Sequence, residues 1–441
     1  MKTPKLLLLV ASLCGAAWLS TTGASEPLLL TLKSDHGLLP YDKASEVLIR
    51  VNVTGKKAPL AKRPPIHLAL VLDRSGSMSG KKIEQARQAA QYIVGQLGPK
   101  DQIALVIYDS NVQVLVPMTA VTNPSAIQKI IRGIEPGGST ALYGGVMAGA
   151  GELRRVLDEQ AVNRVILLSD GLANVGPQSP DDLARLGRDL QKKGIAVSTV
   201  GLGDDYNENL MVALAEASHA NYYYVKDVEK LPSIFQEELQ VLQQLVARQI
   251  KIIIDLPPGL ESVEVVGYPE FRPRGRTLEI TLPEIAQQQE RYFLVRGNLS
   301  GQKAGEVRIA RAQASYVDLD ARERNCAPQD LTVATERSET KVLANVRTDV
   351  RAEYNRQQAL ETRDAAIKLA DKGLVKEAVS RLRSMASMNL SQSKELNAPK
   401  LAEEAASLEA QAAQLESDGA FTNSSRKSIQ YDNYQKMNQK R

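Results

Sequence analysis

The chain has 441 residues, 43% hydrophobic and 24% charged. That is ordinary for a soluble globular protein, with room for roughly two to four domains. The formal charge of +4 is concentrated at the ends: Lys2 and Lys5 at the start, and Arg426, Lys427, Lys436, Lys440 and Arg441 against Asp432 after Gly419. The body between is slightly acidic, which argues against a nucleic-acid partner.

Lys2 and Lys5, the apolar run Leu6 to Trp18 and the small residues Thr22-Gly23-Ala24 read as a secretory signal over 1–24, cleaved before Ser25. The run is shorter than the roughly 20 residues that span a bilayer. A lipoprotein reading through Cys14 is opposed by the large Leu13 before it. No later segment is long and apolar enough to cross, so export without a transmembrane span is expected, to a periplasm or to the extracellular space and cell surface. Cys326 is then the only thiol left in the chain and has no intramolecular partner.

Residues 25–60 carry an alternating pattern, Val47, Ile49, Val51 and Val53, that reads as half-buried strands. From 66 to 246 the period changes. Continuous apolar runs, Ile66 to Leu72 and Val162 to Ser169, read as strands buried on both faces. Between and after them come helical spacings over 81–97, 124–131, 141–157, 181–193, 207–218 and 228–246. Alternating strands and helices predict an α/β fold, a doubly wound and mainly parallel sheet. The last helix, 228–246, leads directly into the next segment and offers a covalent route for reporting ligand binding. From 248 to 345 alternation returns, as in Ile250, Ile252, Ile254 and Leu278, Ile280, Leu282. The N-terminal strands are too few to form a core alone. They are expected to pair with 248–345, so that the α/β domain is inserted in a β-sandwich; the alternative is an α/β domain followed by a separate sandwich. Residues 348–418 read as a C-terminal α-helical segment, broken at Lys372-Gly373, with a packing stripe of Leu401, Ala405, Leu408, Ala412 and Leu415. The basic tail, 419–441, is expected to be disordered, with peripheral contact to an anionic surface as its alternative use.

The chemistry lies in three dispersed elements. Asp73-Arg74-Ser75-Gly76-Ser77 ends the first buried strand, Thr140 follows Gly137-Gly138-Ser139, and Asp170-Gly171 ends the strand over 162–169. In a parallel sheet ligands bind outside the carboxyl ends of the strands, so Asp73, Ser75, Ser77, Thr140 and Asp170 are expected to converge there. Two carboxylates and three hydroxyls form an all-oxygen set suited to a hard divalent cation, Mg²⁺ first, with Mn²⁺ or Ca²⁺ as alternatives. One such triplet alone would be an ordinary turn or helix cap.

These residues resemble a von Willebrand factor type A (VWA) domain with a metal-ion-dependent adhesion site, of the bacterial exported type, over about 66–246. The resemblance implies that Ser75, Ser77 and Thr140 are direct ligands, that Asp73 and Asp170 act largely through coordinated water, and that the cation takes an Asp or Glu carboxylate from a protein partner. Ser139, Tyr143, Gly171 and Asp204, in the Gly203-Asp204-Asp205 loop, are expected to border the ligand surface. The expected function is an exported, non-enzymatic, metal-dependent binding protein for adhesion or envelope interaction. The alternatives are a structural subunit or scaffold of an envelope complex, and a hydrolase using Ser75. The hydrolase lacks an assignable base, because His36, His67 and His219 are scattered, and a zinc protease is unsupported because no His-Glu-x-x-His occurs.

Overall fold

The computed structural model describes residues 26–57 and 63–439. The expected signal segment lies outside the described residues. Strands β1 (Leu28–Ser34), β2 (Leu38–Pro40) and β3 (Ser45–Gly55) precede the α/β unit. That unit runs β4 (Ile66–Asp73), α1 (Lys81–Gln96), β5 (Gln102–Tyr108), β6 (Val112–Ala120), α2 (Pro124–Arg132), α3 (Leu142–Arg154), β7 (Val162–Ser169), α4 (Pro180–Gln191), β8 (Ala196–Leu202), α5 (Glu208–Ala217), β9 (Tyr222–Val225) and α6 (Leu231–Gln243). It is followed by β10 (Leu245–Asp255), β11 (Leu260–Val265), β12 (Thr277–Ala286), β13 (Glu290–Leu299), β14 (Glu306–Val317), β15 (Glu323–Asn325) and β16 (Gln329–Glu336). Helices α7 (Glu339–Ala344), α8 (Thr348–Asp371), α9 (Val375–Glu395), α10 (Pro399–Asp418) and α11 (Asn423–Met437) complete the chain.

The α/β sheet has the order β6-β5-β4-β7-β8-β9 and is parallel except at β6, which returns antiparallel to β5. Every residue of β4 and β7 is buried, as continuous apolar strands require when helices cover both faces. The remaining strands form two sheets, β1-β3-β13-β11 and β12-β10-β14-β16-β2. Because β3 pairs with β13 and β2 with β16, the N-terminal strands complete both halves of one sandwich, and the α/β unit is inserted in it. The helix expected to reach residue 246 stops at Gln243: Leu245 already pairs with Ala286, and β10 runs straight into the sandwich.

The tail differs from the expectation of disorder. Residues 423–437 form α11, capped by the Thr422 hydroxyl, which accepts from the Ser425 amide. Its charges are used inside the chain: Lys427 reaches Glu208 at 2.8 Å with both side chains buried, Arg426 pairs with Glu208 and Asp371, and Lys436 pairs with Glu404. Tyr431 and Tyr434 meet Tyr222 of β9 edge-to-face, and the Tyr434 hydroxyl donates to the Ala220 carbonyl. Composition suggested a solvated end because it reports net charge. Glu208 and Tyr222, which help to order this segment, lie more than 200 residues away in sequence. Lys440 and Arg441 lie outside the described residues.

A buried ion pair joins the α/β unit to the sandwich. Arg164 of β7 is fully buried, and its guanidinium contacts Glu238 of α6, Ser198 of β8 and Glu284 of β12. Burial opposes the charge on Glu238. The nearby Arg164 and hydrogen bonds from Ser198, Asn221 and Tyr223 outweigh it and hold the carboxyl below its usual pKa. Removing one member of such a set strands the other charge in the core. Arg164→Met is therefore expected to cost about 3–5 kcal/mol in chemical denaturation. Adding Glu238→Gln is expected to restore part of that loss, and a single mutant as stable as wild type would contradict the assignment.

Candidate metal centre

Three loops meet at the carboxyl edge of the parallel sheet. Extended β4 delivers Asp73, and the chain then turns sharply through Ser75 and Gly76. The Ser75 amide donates to Asp73 Oδ1 at 2.8 Å, closing this turn. Ser169, the last residue of β7, donates its hydroxyl to Asp73 Oδ2 at 2.8 Å. The loop from α2 to α3 is zipped to the first by two backbone bonds, Gly76 N–H to the Gly138 carbonyl at 3.1 Å and Gly137 N–H to the Arg74 carbonyl at 2.7 Å. Gly138 is needed there, since its φ is +75° and a Cβ would meet Asp109 and Ser110 at 3.0 Å. Thr140 is held by its amide, which donates to Asn174 Oδ1 at 2.8 Å.

The five expected donors are brought together. Ser75 Oγ lies 3.1 Å from Ser77 Oγ, and the Ser77 hydroxyl donates to Asp170 Oδ1 at 2.7 Å. A Cβ on Gly171 would sit 3.2 Å from Thr140 Oγ1 and 3.5 Å from Ser77 Oγ. The missing side chain therefore leaves open the space between these two hydroxyls. Asp73 and Asp170 are both wholly buried, whereas Ser77 and Ser139 are exposed above them. The hydrogen-bond partners of Asp73 are neutral. Burial pushes its carboxyl up to about 6; hydrogen bonds from Ser75 and Ser169 oppose the rise, and the charge of Asp170 adds to it. A buried carboxylate without a full counter-charge, beside a second carboxylate and three hydroxyls, fits a small hard cation. Among the described residues no group of three or more His, Cys, Asp or Glu side chains is placed to hold a metal ion, so a cation here would need the hydroxyls beside the two carboxylates.

The surrounding residues divide. Gly171 lines the donor cluster directly. Ser139 is exposed on the same loop and anchored by its amide to Ser110 Oγ at 2.9 Å. Tyr143 lines a cleft of about 370 Å³ between α3 and α4, with Met147, Pro177 and Leu186. Asp204 is half-buried and accepts from the Tyr224 hydroxyl at 2.5 Å. Sequence reasoning passed over Lys82, whose ammonium lies 2.5 Å from Asp170 Oδ2, and Asp109, which Arg74 neutralises at 2.5 Å. Arg74 had a readable signal, a charged residue inside the Asp-x-Ser-x-Ser turn. Asp109 and Lys82 had none, because their partners are remote in sequence.

His67 sits at the opposite end of β4, six residues before Asp73 and so roughly 20 Å away along an extended strand. His36 is paired with Asp35 at the sandwich.

Residues 67–237 match the von Willebrand factor type A domain, and the chain carries a domain of that family there. Such domains commonly mediate metal-dependent protein interaction. The chain is 25% identical over 316 residues to the uncharacterized protein sll0103 of Synechocystis sp., covering 69% of this chain and 74% of that one. It is 24% identical over 287 residues to the uncharacterized protein YfbK of Escherichia coli, covering 64% of this chain but only 50% of YfbK. Among solved structures, a von Willebrand factor type A protein from Catenulispora acidiphila shares the fold with a TM-score of 0.67 at 16% identity, covering 85% of this chain and 89% of that one. The ArnB paralog VWA2 from Sulfolobus acidocaldarius does so at 0.62 and 18%, covering 94% and 98%.

The raised pKa of Asp73 has a testable consequence in chelator. Its folded-state value of about 6 lies above the usual 3.8. The stability this group contributes is therefore complete below 3.8 and is lost as pH rises through about 6. Asp73→Asn removes the buried charge while keeping the side chain's size. In EDTA it is expected to melt at a higher temperature than wild type at pH 7, with the difference closing towards pH 4. A lower melting temperature at pH 7 would count against an uncompensated carboxylate.

Proposed function

We propose that the chain is an exported binding protein in which Ser75, Ser77 and Thr140, with Asp73 and Asp170, hold a divalent cation that recruits a carboxylate of a protein partner. The observation that carries this reading is the opening left by Gly171, where the buried carboxylates of Asp73 and Asp170 and the buried hydroxyls of Ser75 and Thr140 stand behind Ser77, which is exposed. A cation there would be balanced by two carboxylates, while neutral hydroxyl ligands would leave it electrophilic towards a further oxygen. Mg²⁺ suits the small all-oxygen set, with Mn²⁺ and Ca²⁺ as competitors. A non-enzymatic role is supported by the separation of His67 from Ser75 and Ser77, which leaves the serines as ligands rather than activated nucleophiles. A periplasmic or cell-surface location rests on the sequence of residues 1–24 alone. The scaffold reading draws support from α9, whose Met388 and Leu390 are exposed apolar side chains away from the metal centre.

Calorimetric titration of the full chain with Mg²⁺, Mn²⁺ and Ca²⁺ is expected to show one site per chain, weakened roughly 10–100-fold or more by Asp73→Ala or Thr140→Ala. Capture of a partner is expected with the cation and lost in EDTA. Equal cation binding by wild type and Asp73→Ala would refute the centre. Capture that survives EDTA but is lost on truncation at residue 347 would favour the scaffold.

A further inference from the structure

Lys82 is misplaced for a helix and well placed for the metal centre. It is the second residue of α1, whose first turn also holds Lys81, and the helix begins at Gly80 with no side-chain cap. The N-terminal turn exposes backbone N–H groups and disfavours cations. Lys81 turns outward towards Glu229, with both side chains mostly exposed. Lys82 turns inward, and its ammonium reaches Asp170 Oδ2 at 2.5 Å while the Ser77 hydroxyl takes Oδ1. Its stem runs beside Gly203 in the loop from β8 to α5, where a Cβ would lie 3.8 Å from Lys82 Cε and Nζ. A residue that breaks a local rule and is received by two other elements points to a role at the site they form.

The charges then sum simply. Arg74 is engaged by Asp109, and the hydrogen-bond partners of Asp73 are neutral hydroxyl and amide groups. Asp73 and Asp170 with Lys82 thus present one net negative charge to an incoming ion. After a divalent cation binds, the same set carries one net positive charge instead of none.

We propose that Lys82 is a tethered cation that sets the charge of this centre, weakening its hold on the divalent ion and leaving the loaded site with a surplus positive charge that attracts a carboxylate. The proposal rests on the metal reading given above. Lys82 acts through Asp170 and the local field and is a positioning residue.

The test uses the full chain and Mn²⁺ at low ionic strength, with Mn²⁺ affinity measured by electron paramagnetic resonance. Lys82→Met is expected to bind Mn²⁺ more tightly by roughly tenfold, since a like charge beside the ion is removed, and Lys82→Arg is expected to stay near wild type. Acetate then serves as the carboxylate probe: water-proton relaxivity of the Mn²⁺-loaded protein falls as acetate displaces bound water. The midpoint is expected at higher acetate concentration in Lys82→Met than in wild type. Equal or weaker Mn²⁺ binding by folded Lys82→Met, or an unchanged acetate midpoint, overturns the proposal while leaving the metal reading intact. If Lys82→Met does not fold, Lys82→Gln serves for the same two measurements. Wild type that binds no Mn²⁺ overturns the metal reading, and the role of Lys82 falls with it.

Discussion

A strand buried on both faces can bring polar side chains to a ligand from solvent only at its ends. β4 and β7 are buried along their whole lengths, so Asp73 and Asp170 are tolerable only where the apolar run stops. Even there they remain wholly covered. Everything at the centre answers that constraint. The hydroxyls of Ser75, Ser77 and Ser169 and the amide of Ser75 solvate the carboxylates in place of water, and Lys82 supplies one charge. The parallel sheet makes the arrangement local, because parallel strands end at the same edge and deliver loops from distant parts of the sequence to one point.

The same economy of charge organises the contacts between layers. Arg164, Glu238 and Glu284 connect β7, α6 and β12, so the inserted unit and the sandwich share a buried ionic joint as well as a covalent one. Glu208 at the start of α5 receives Lys427 and Arg426 from α11. The C-terminal helices are thereby docked beside β9 and the loop that passes Lys82. The candidate centre sits on an edge braced from several sides, which favours a preformed arrangement of its side chains.

Much of this was legible. Periodicity separated the continuous apolar strands of the α/β unit from the alternating strands around it. The shortage of N-terminal strands pointed to a shared sandwich, and the structure completes it through the pairing of β3 with β13 and β2 with β16. The convergence of the five candidate residues could be anticipated because Asp73, Ser75, Ser77 and Asp170 follow recognisable strands and Thr140 a glycine-rich turn. Tyr143 was expected at the ligand surface; it lies in the first turn of α3 and lines the cleft beside α4, a placement that depends on how the two helices pack. The tail was misread because a basic composition describes a segment in isolation, and Lys427 is neutralised by a glutamate 219 residues away.

The sequence by itself determined the class of most segments before residue 419 and the residue types of the candidate oxygen set, because hydrophobic period and residue type are local properties written along the chain. Only the tertiary structure decided that Asp73 is buried among neutral partners, that Lys82 rather than Arg74 reaches Asp170, and that α11 is ordered. Those outcomes depend on distances between groups far apart in sequence and on how completely water is excluded, and both arise only when the layers pack.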